Sequence, residues 1–249
     1  MAGNPVVLGV LQTVVSGLAE QTGRARIDIV DAGGGTGGFA VPLASLGHRV
    51  TVVDPSPDSL AAAQRRAAEQ HVPLGAIQGD AADLALVAGE QSADLVLCHS
   101  VLEYVDSPSA AMAAIATVLR PGGAVSVLTA SAVAAVIHRA LAGRFDEARR
   151  LLTGIGAAAG NGSGPADGHG QPVTGPRRFT LAGVTGLIER AGLRPGPAQG
   201  VRVFADLVPR VVADADPGAE QALQGLELAV SAHPAFHDFA SQFHVLGYR

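Results

Sequence analysis

Asp31 stands immediately before a run of glycines, Gly33-Gly34-Gly35-Thr36-Gly37. A second acid, Asp54, follows about twenty residues later at the end of a β-type run. A third, Asp80, leads into Ala81-Ala82 after another short apolar run. Glycines between a strand and a helix let the backbone approach a ligand closely. The helix that follows points its first N–H groups at the same place. A carboxylate one strand over suits the hydroxyls of a ribose. These residues predict a nucleotide or nucleoside pocket. Gly33, Gly35 and Gly38 also satisfy a dinucleotide fingerprint, so the turn alone admits a nicotinamide cofactor as well.

Elements must place these groups at one edge, and the apolar periodicity supplies them. Residues 5–20 read as an amphipathic helix, with Val7, Val10, Leu11, Val14 and Leu18 at helical spacing. Strand patterns at 27–30, 49–54, 75–79, 93–99 and 124–129 alternate with helical patterns at 39–46, 59–70 and 109–119. Asp58 is available at the start of the second of these helices. Arg120-Pro121-Gly122-Gly123 reads as a helix stop and a tight turn into the fifth strand. Such βαβα alternation predicts a mostly parallel sheet covered by helices on both faces. Beyond it, 131–152 reads as helical with a break near Gly143, then 181–191 as helix, 194–204 as turn plus strand, 220–229 as helix and 243–246 as a last strand. Residues 153–176, nearly half Gly or Pro, read as a lid or a disordered loop within a single domain spanning 1–249.

Composition narrows the partners. The 249 residues carry a net charge of −5, which weighs against gripping nucleic acid mainly by its phosphates. One cysteine, Cys98, excludes an intrachain disulfide and reads as a buried small hydrophobe. No apolar run reaches membrane-spanning length and no secretory leader is evident, so a soluble cytoplasmic protein without membrane association is expected. No metal site is expected: His233 and His237 share a helical spacing, but Pro234 lies between them and no further ligands complete a set. Gly160 to Gly164 places a serine between glycines without the strand and helix of a nucleophile elbow.

The Asp31-x-Gly33-x-Gly35-x-Gly37 turn, Asp54, Asp80 with Ala81 and Ala82, and the Leu119-to-Gly123 turn together resemble the class I methyltransferases that use S-adenosylmethionine. The resemblance implies a Rossmann-like α/β fold with a seven-stranded sheet. It also implies that Gly33, Gly34 and Gly35 meet the methionine part of the cofactor and that Asp31 faces its amino group. Asp54 would then hold the ribose, and Asp80, Ala81 and Ala82 would shape the adenine slot. His99-Ser100-Val101-Leu102-Glu103-Tyr104-Val105, Ala142 to Asp146, Gly200 to Asp206, Leu226 to Leu228 and Phe243 to Val245 are further similar to the CmoM group of tRNA methyltransferases, which esterify a carboxymethoxyuridine. That similarity implies cofactor contact by His99 and a substrate side lined by Glu103 and Tyr104. For a carboxylate acceptor, Arg202 is the first candidate for a cationic cradle, since its fork matches a carboxylate. Its alternative role is an ordinary surface ion pair. The N-terminal segment lacks the family's Lys-Gly and following Arg, and only Arg177 and Arg178 stand where the family has a basic loop. A small-molecule acceptor and a noncatalytic cofactor-binding module are the alternatives to a tRNA substrate.

Overall fold

The computed structural model describes residues 4–157, 176–209 and 218–249. Seven strands form one sheet in the order β3-β2-β1-β4-β5-β7-β6. These are β1 (Asp28–Ala32), β2 (Arg49–Asp54), β3 (Gly75–Gln78), β4 (Ala93–His99), β5 (Leu119–Ala130), β6 (Arg194–Val201) and β7 (Gln242–Tyr248). The pairs β1/β2, β1/β4 and β2/β3 are parallel, with Ala32 opposite both Val53 and Cys98. This register sets the carboxyl ends of the four strands along one edge. The strand order reverses between β1 and β4, where open α/β sheets leave a crevice.

Helices follow from capping and from apolar faces. Asn4 accepts from the Val6 and Val7 N–H groups and opens α1 (Pro5–Thr22), which buries Val7, Leu11, Val15 and Leu18. Next come α2 (Ala40–Ser45), α3 (Pro57–Glu69), the short α4 (Leu84–Ala88) and α5 (Pro108–Val118). The cap of α3 is Ser56, whose hydroxyl accepts from the Ser59 N–H; Asp58 lies inside the first turn instead. Pro57 at the first helical position leaves Ser56, one residue earlier, to make that bond. Strand β4 is buried from Ala93 to Cys98, as expected for a strand covered on both faces.

Helix α5 ends at Val118, and β5 begins at Leu119 rather than after Gly123. Gly122 keeps the left-handed backbone of a turn, with φ of 79°. Arg249 draws this segment into the sheet, because its N–H donates to the Gly123 carbonyl and its carbonyl accepts from Gly122. The chain divides into two compact units, one of residues 1–127, 187–196 and 246–249, the other of 128–186 and 197–245. In the second, α6 (Ala132–Leu141) and α7 (Phe145–Ala157) pack together across Gly143, whose φ of 73° makes the break. Helix α7 thus continues through residues 153–157, where sequence suggested loop; the remainder up to residue 175 lies outside the described residues, as do Gly160 to Gly164. Helices α8 (Leu181–Arg190), α9 (Ala219–Ser231) and α10 (Pro234–His237) complete the described set. Pro234 begins α10 rather than interrupting a helix, with His233 as its cap.

The strand starts are tied by charge. Asp94 accepts from the Asp28 N–H at 2.8 Å, from Arg120 at 3.0 Å and from Arg24. Asp28 in turn pairs with Arg49 and Arg120 at 2.9 and 2.8 Å. Burial alone would raise the Asp94 carboxyl, but the Asp28 N–H and the two guanidinium groups outweigh it and hold it below the usual carboxylate range. Its contribution to stability is therefore complete above the ordinary aspartate range and is lost as pH falls through the lowered native value. Asp94→Ala is expected to cost about 2–3 kcal/mol in urea unfolding at pH 7. The difference from the parent chain should shrink in acid.

Candidate active site

The crevice is built around one carboxylate. Asp54, at the end of β2, accepts the Gly35 N–H on Oδ2 and the Ser56 N–H on Oδ1, both at 2.9 Å. It thereby fixes the glycine turn of β1 against the turn after β2. Gly33 donates to the Val53 carbonyl at 2.7 Å and Gly37 to the Gly34 carbonyl at 2.9 Å, which closes the loop. Each Asp54 oxygen keeps a second lone-pair position for another donor.

Glycine is required at two neighbouring positions for different reasons. A Cβ on Gly33 would lie 2.4 Å from the Val101 Cγ2, and its φ is 66°. A Cβ on Gly34 would lie 2.5 Å from the Asp31 Cγ. Above Gly35, by contrast, nothing lies within 4 Å. Backbone is thus packed from below by Asp31 and Val101 and open above Gly35.

Asp31 is buried in this packing, and burial followed by the nearby Asp54 charge pushes its carboxyl up to about 7. Buried Glu103 follows β4, and burial, Glu103 and Asp31 together raise the Cys98 thiol, which leaves it an inert core group. His99 ends β4; its Nε2 and the Ser126 Oγ lie 2.7 Å apart, and its ring meets Phe39 edge-on at 4.5 Å. Ser100 then turns the chain with φ of 55°, a left-handed conformation that non-glycine residues seldom adopt. Asp80 accepts from the Ala82 N–H and caps a single 3₁₀ turn, Ala81–Asp83, while the Gly79 N–H reaches the Asp54 carbonyl. A crevice with two adjacent carboxylates and an uncovered backbone suits a ligand that carries both a cation and hydroxyl groups.

Residues 30–127 match the family model described as a methyltransferase domain. Over this stretch the chain is similar to methyltransferase domains, and its fold is the Rossmann-like one of such enzymes. The chain is 36% identical over 131 residues to the tRNA 5-carboxymethoxyuridine methyltransferase of Escherichia coli K12, covering 52% of this chain and 49% of that protein. It is 32% identical over 131 residues to a ubiquinone biosynthesis O-methyltransferase of Caulobacter vibrioides, covering 51% and 52%. The match spans about half the length of these curated relatives. Among solved structures, a SAM-dependent methyltransferase of Methanosarcina mazei aligns with a TM-score of 0.63 at 14% identity, covering 100% of this chain and 99% of that one. The magnesium protoporphyrin IX methyltransferase of Synechocystis, with S-adenosylhomocysteine bound, aligns at 0.57 and 17% identity over 97% and 84%. These likenesses give the fold.

The stretch 30–127 sets Asp31, Gly33, Gly34, Gly35, Asp54 and His99 at or just after the carboxyl ends of β1, β2 and β4, with Asp80, Ala81 and Ala82 beyond β3. The Ala81 methyl is buried, so only Ala82 is exposed of that pair. Glu103 is buried and Tyr104 is 72% exposed. Arg202 belongs to the second unit, and its Nε reaches both carboxylate oxygens of Asp206 at 3.0 and 2.9 Å. Ser56 and Ser126 were not among the residues singled out by sequence, and Val101 entered only within the His99-to-Val105 stretch. Only Ser126 carries a sequence signal, a hydroxyl inside an apolar strand. Among the described residues no group of three or more His, Cys, Asp or Glu side chains could hold a metal ion. None of the described helices is long and apolar enough to cross a membrane.

The raised Asp31 carboxyl has a defined signature. Its protonated form stabilises the ligand-free fold below the ordinary aspartate value, and that contribution is lost as pH rises through about 7. Asp31→Asn should flatten the decline in unfolding free energy between pH 5 and pH 8, measured by urea titration at each pH. It should leave the ligand-free variant the more stable protein at the alkaline end, by an amount on the order of a few kcal/mol.

Proposed function

We propose that this chain binds S-adenosylmethionine in the glycine-lined crevice and methylates an oxygen of its acceptor, a carboxylate or a hydroxyl. The carrying observation is Asp54: each oxygen is held by one backbone N–H and retains one acceptor position, a pair suited to adjacent ribose hydroxyls. Asp31 would face the cofactor's ammonium in its ionised form, and Gly33, Gly34 and Gly35 would let the methionine chain lie on backbone. Ala82 beside Asp80 would border the adenine. His99, steadied by Ser126 and Phe39, would contact the cofactor from the end of β4.

S-adenosylmethionine, when bound, supplies a methyl group activated by the sulfonium charge. The chain's own work is then to hold an acceptor oxygen in line and keep water out. A carboxylate acceptor is ionised near neutral pH and needs no base. It does need a donor cradle, for which Arg202 is the candidate; with Asp206 on its Nε edge, the Nη1 donors would serve. Glu103 and Tyr104 would line the acceptor side.

Two acceptor classes follow. The similarity to the tRNA methyltransferase supports a carboxymethoxyuridine carboxylate. The similarity to the ubiquinone biosynthesis enzyme, with the net charge of −5, supports a small hydroxylated or carboxylated acceptor. Methyl-labelled S-adenosylmethionine incubated with total RNA and, separately, with a small-molecule extract would separate them by where the label goes. Label in neither fraction would leave a binding module.

Asp54→Ala should weaken S-adenosylhomocysteine binding about 100-fold or more by calorimetry, through loss of two charge-assisted hydrogen bonds. The variant should still unfold cooperatively. Affinity equal to the parent's would refute the ribose assignment.

A further inference from the structure

The α6–α7 hairpin carries a surface that the methyltransferase domain does not use. In helix α7 Phe145, Arg149 and Leu152 follow at intervals of four and three residues and line one strip, which borders the buried Ala148. Phe145 is 70% exposed and Leu152 59%, and Leu141 at the end of α6 is 70% exposed. Three large apolar side chains within twelve residues thus face water.

The same stretch is locally basic. The stretch Arg139 to Arg150, both ends included, carries four arginines and two acids, in a chain whose net charge is −5. Arg139 and Arg144 share Glu147, at 3.1 and 2.7 Å. Arg149, with its side chain 81% exposed, reaches Asp146 only at 3.6 Å. Arg150 is exposed and makes no ion pair among the described residues.

We propose that this face docks on the surface of an anionic lipid bilayer. Phe145, Leu152 and Leu141 would enter the interface while Arg144, Arg149 and Arg150 reach the headgroup phosphates. Interfacial helices combine these two features, and long basic side chains snorkel from apolar surroundings to charged headgroups. The alternatives use only part of the surface. RNA phosphates would engage the arginines but give the two leucines nothing to pack on. A second copy in a two-fold contact would set the arginines against their equals. The proposal rests on this surface alone and holds for either acceptor class.

The test is co-sedimentation of the full chain, at low ionic strength, with vesicles of equal parts phosphatidylglycerol and phosphatidylcholine, and with phosphatidylcholine alone. The chain should partition onto the anionic vesicles and be released by salt. Phe145→Ser with Leu152→Ser should reduce partitioning about tenfold or more. Arg149→Gln with Arg150→Gln should reduce it at least about fivefold. Leu86→Ser, on an equally bare leucine in α4 (84% exposed), should change nothing. Unchanged circular dichroism and S-adenosylhomocysteine affinity would certify that the variants fold and that the crevice is intact. No partitioning of the parent chain would overturn the proposal. So would partitioning that survives the Phe145/Leu152 double change, or arginine-dependent binding of tRNA in place of vesicles.

Discussion

The grip of Asp54 on the Gly35 and Ser56 N–H groups is the interaction on which the crevice depends. It joins the turn after β1 to the turn after β2, so two loops that could move separately form one surface. The same carboxylate adds its charge to burial, the larger cause, in raising the proton affinity of Asp31. A buried carboxylate costs free energy unless it is fully bonded, and the backbone donors offset that cost without using up its acceptor capacity.

The two edges of the sheet solve opposite problems. At the strand starts, Asp28 and Asp94 are matched with Arg24, Arg49 and Arg120, and cation and anion neutralise one another. At the strand ends, Asp31, Asp54 and Glu103 are acids gathered around an uncovered backbone. A protein that merely needed stability would treat both edges alike. The carboxyl edge instead holds two neighbouring carboxyl groups, Asp31 and Asp54, whose mutual repulsion a bound cation would relieve.

Much of this was legible in the residues. Strands β2 and β4 fall on the positions that apolar periodicity gives, because both are covered and their runs are uninterrupted. The glycine turn and Asp54 were legible because they need particular residue types at a fixed spacing. The start of β5 lies five residues earlier than its apolar run suggests, because Arg249, at the far end of the chain, pairs with Gly122 and Gly123, and no local signal reveals that partner. The start of α3 differed by two residues because Pro57 opens the helix and Ser56, not Asp58, caps it. Val101 stood within the His99-to-Val105 stretch, but its contact with Gly33 is one of proximity that no local signal reveals. Arg202 showed its fork in the sequence, but not that the fork is already occupied by Asp206.

Asp31 carries a last consequence. A carboxyl that burial and Asp54 push up to about 7, packed against Gly34 of the glycine turn, would let the crevice exchange a proton for an ammonium bound there. Entry of the cation would expel hydrogen ions into the medium, and the measured heat of association would vary with the ionisation enthalpy of whichever buffer takes them up.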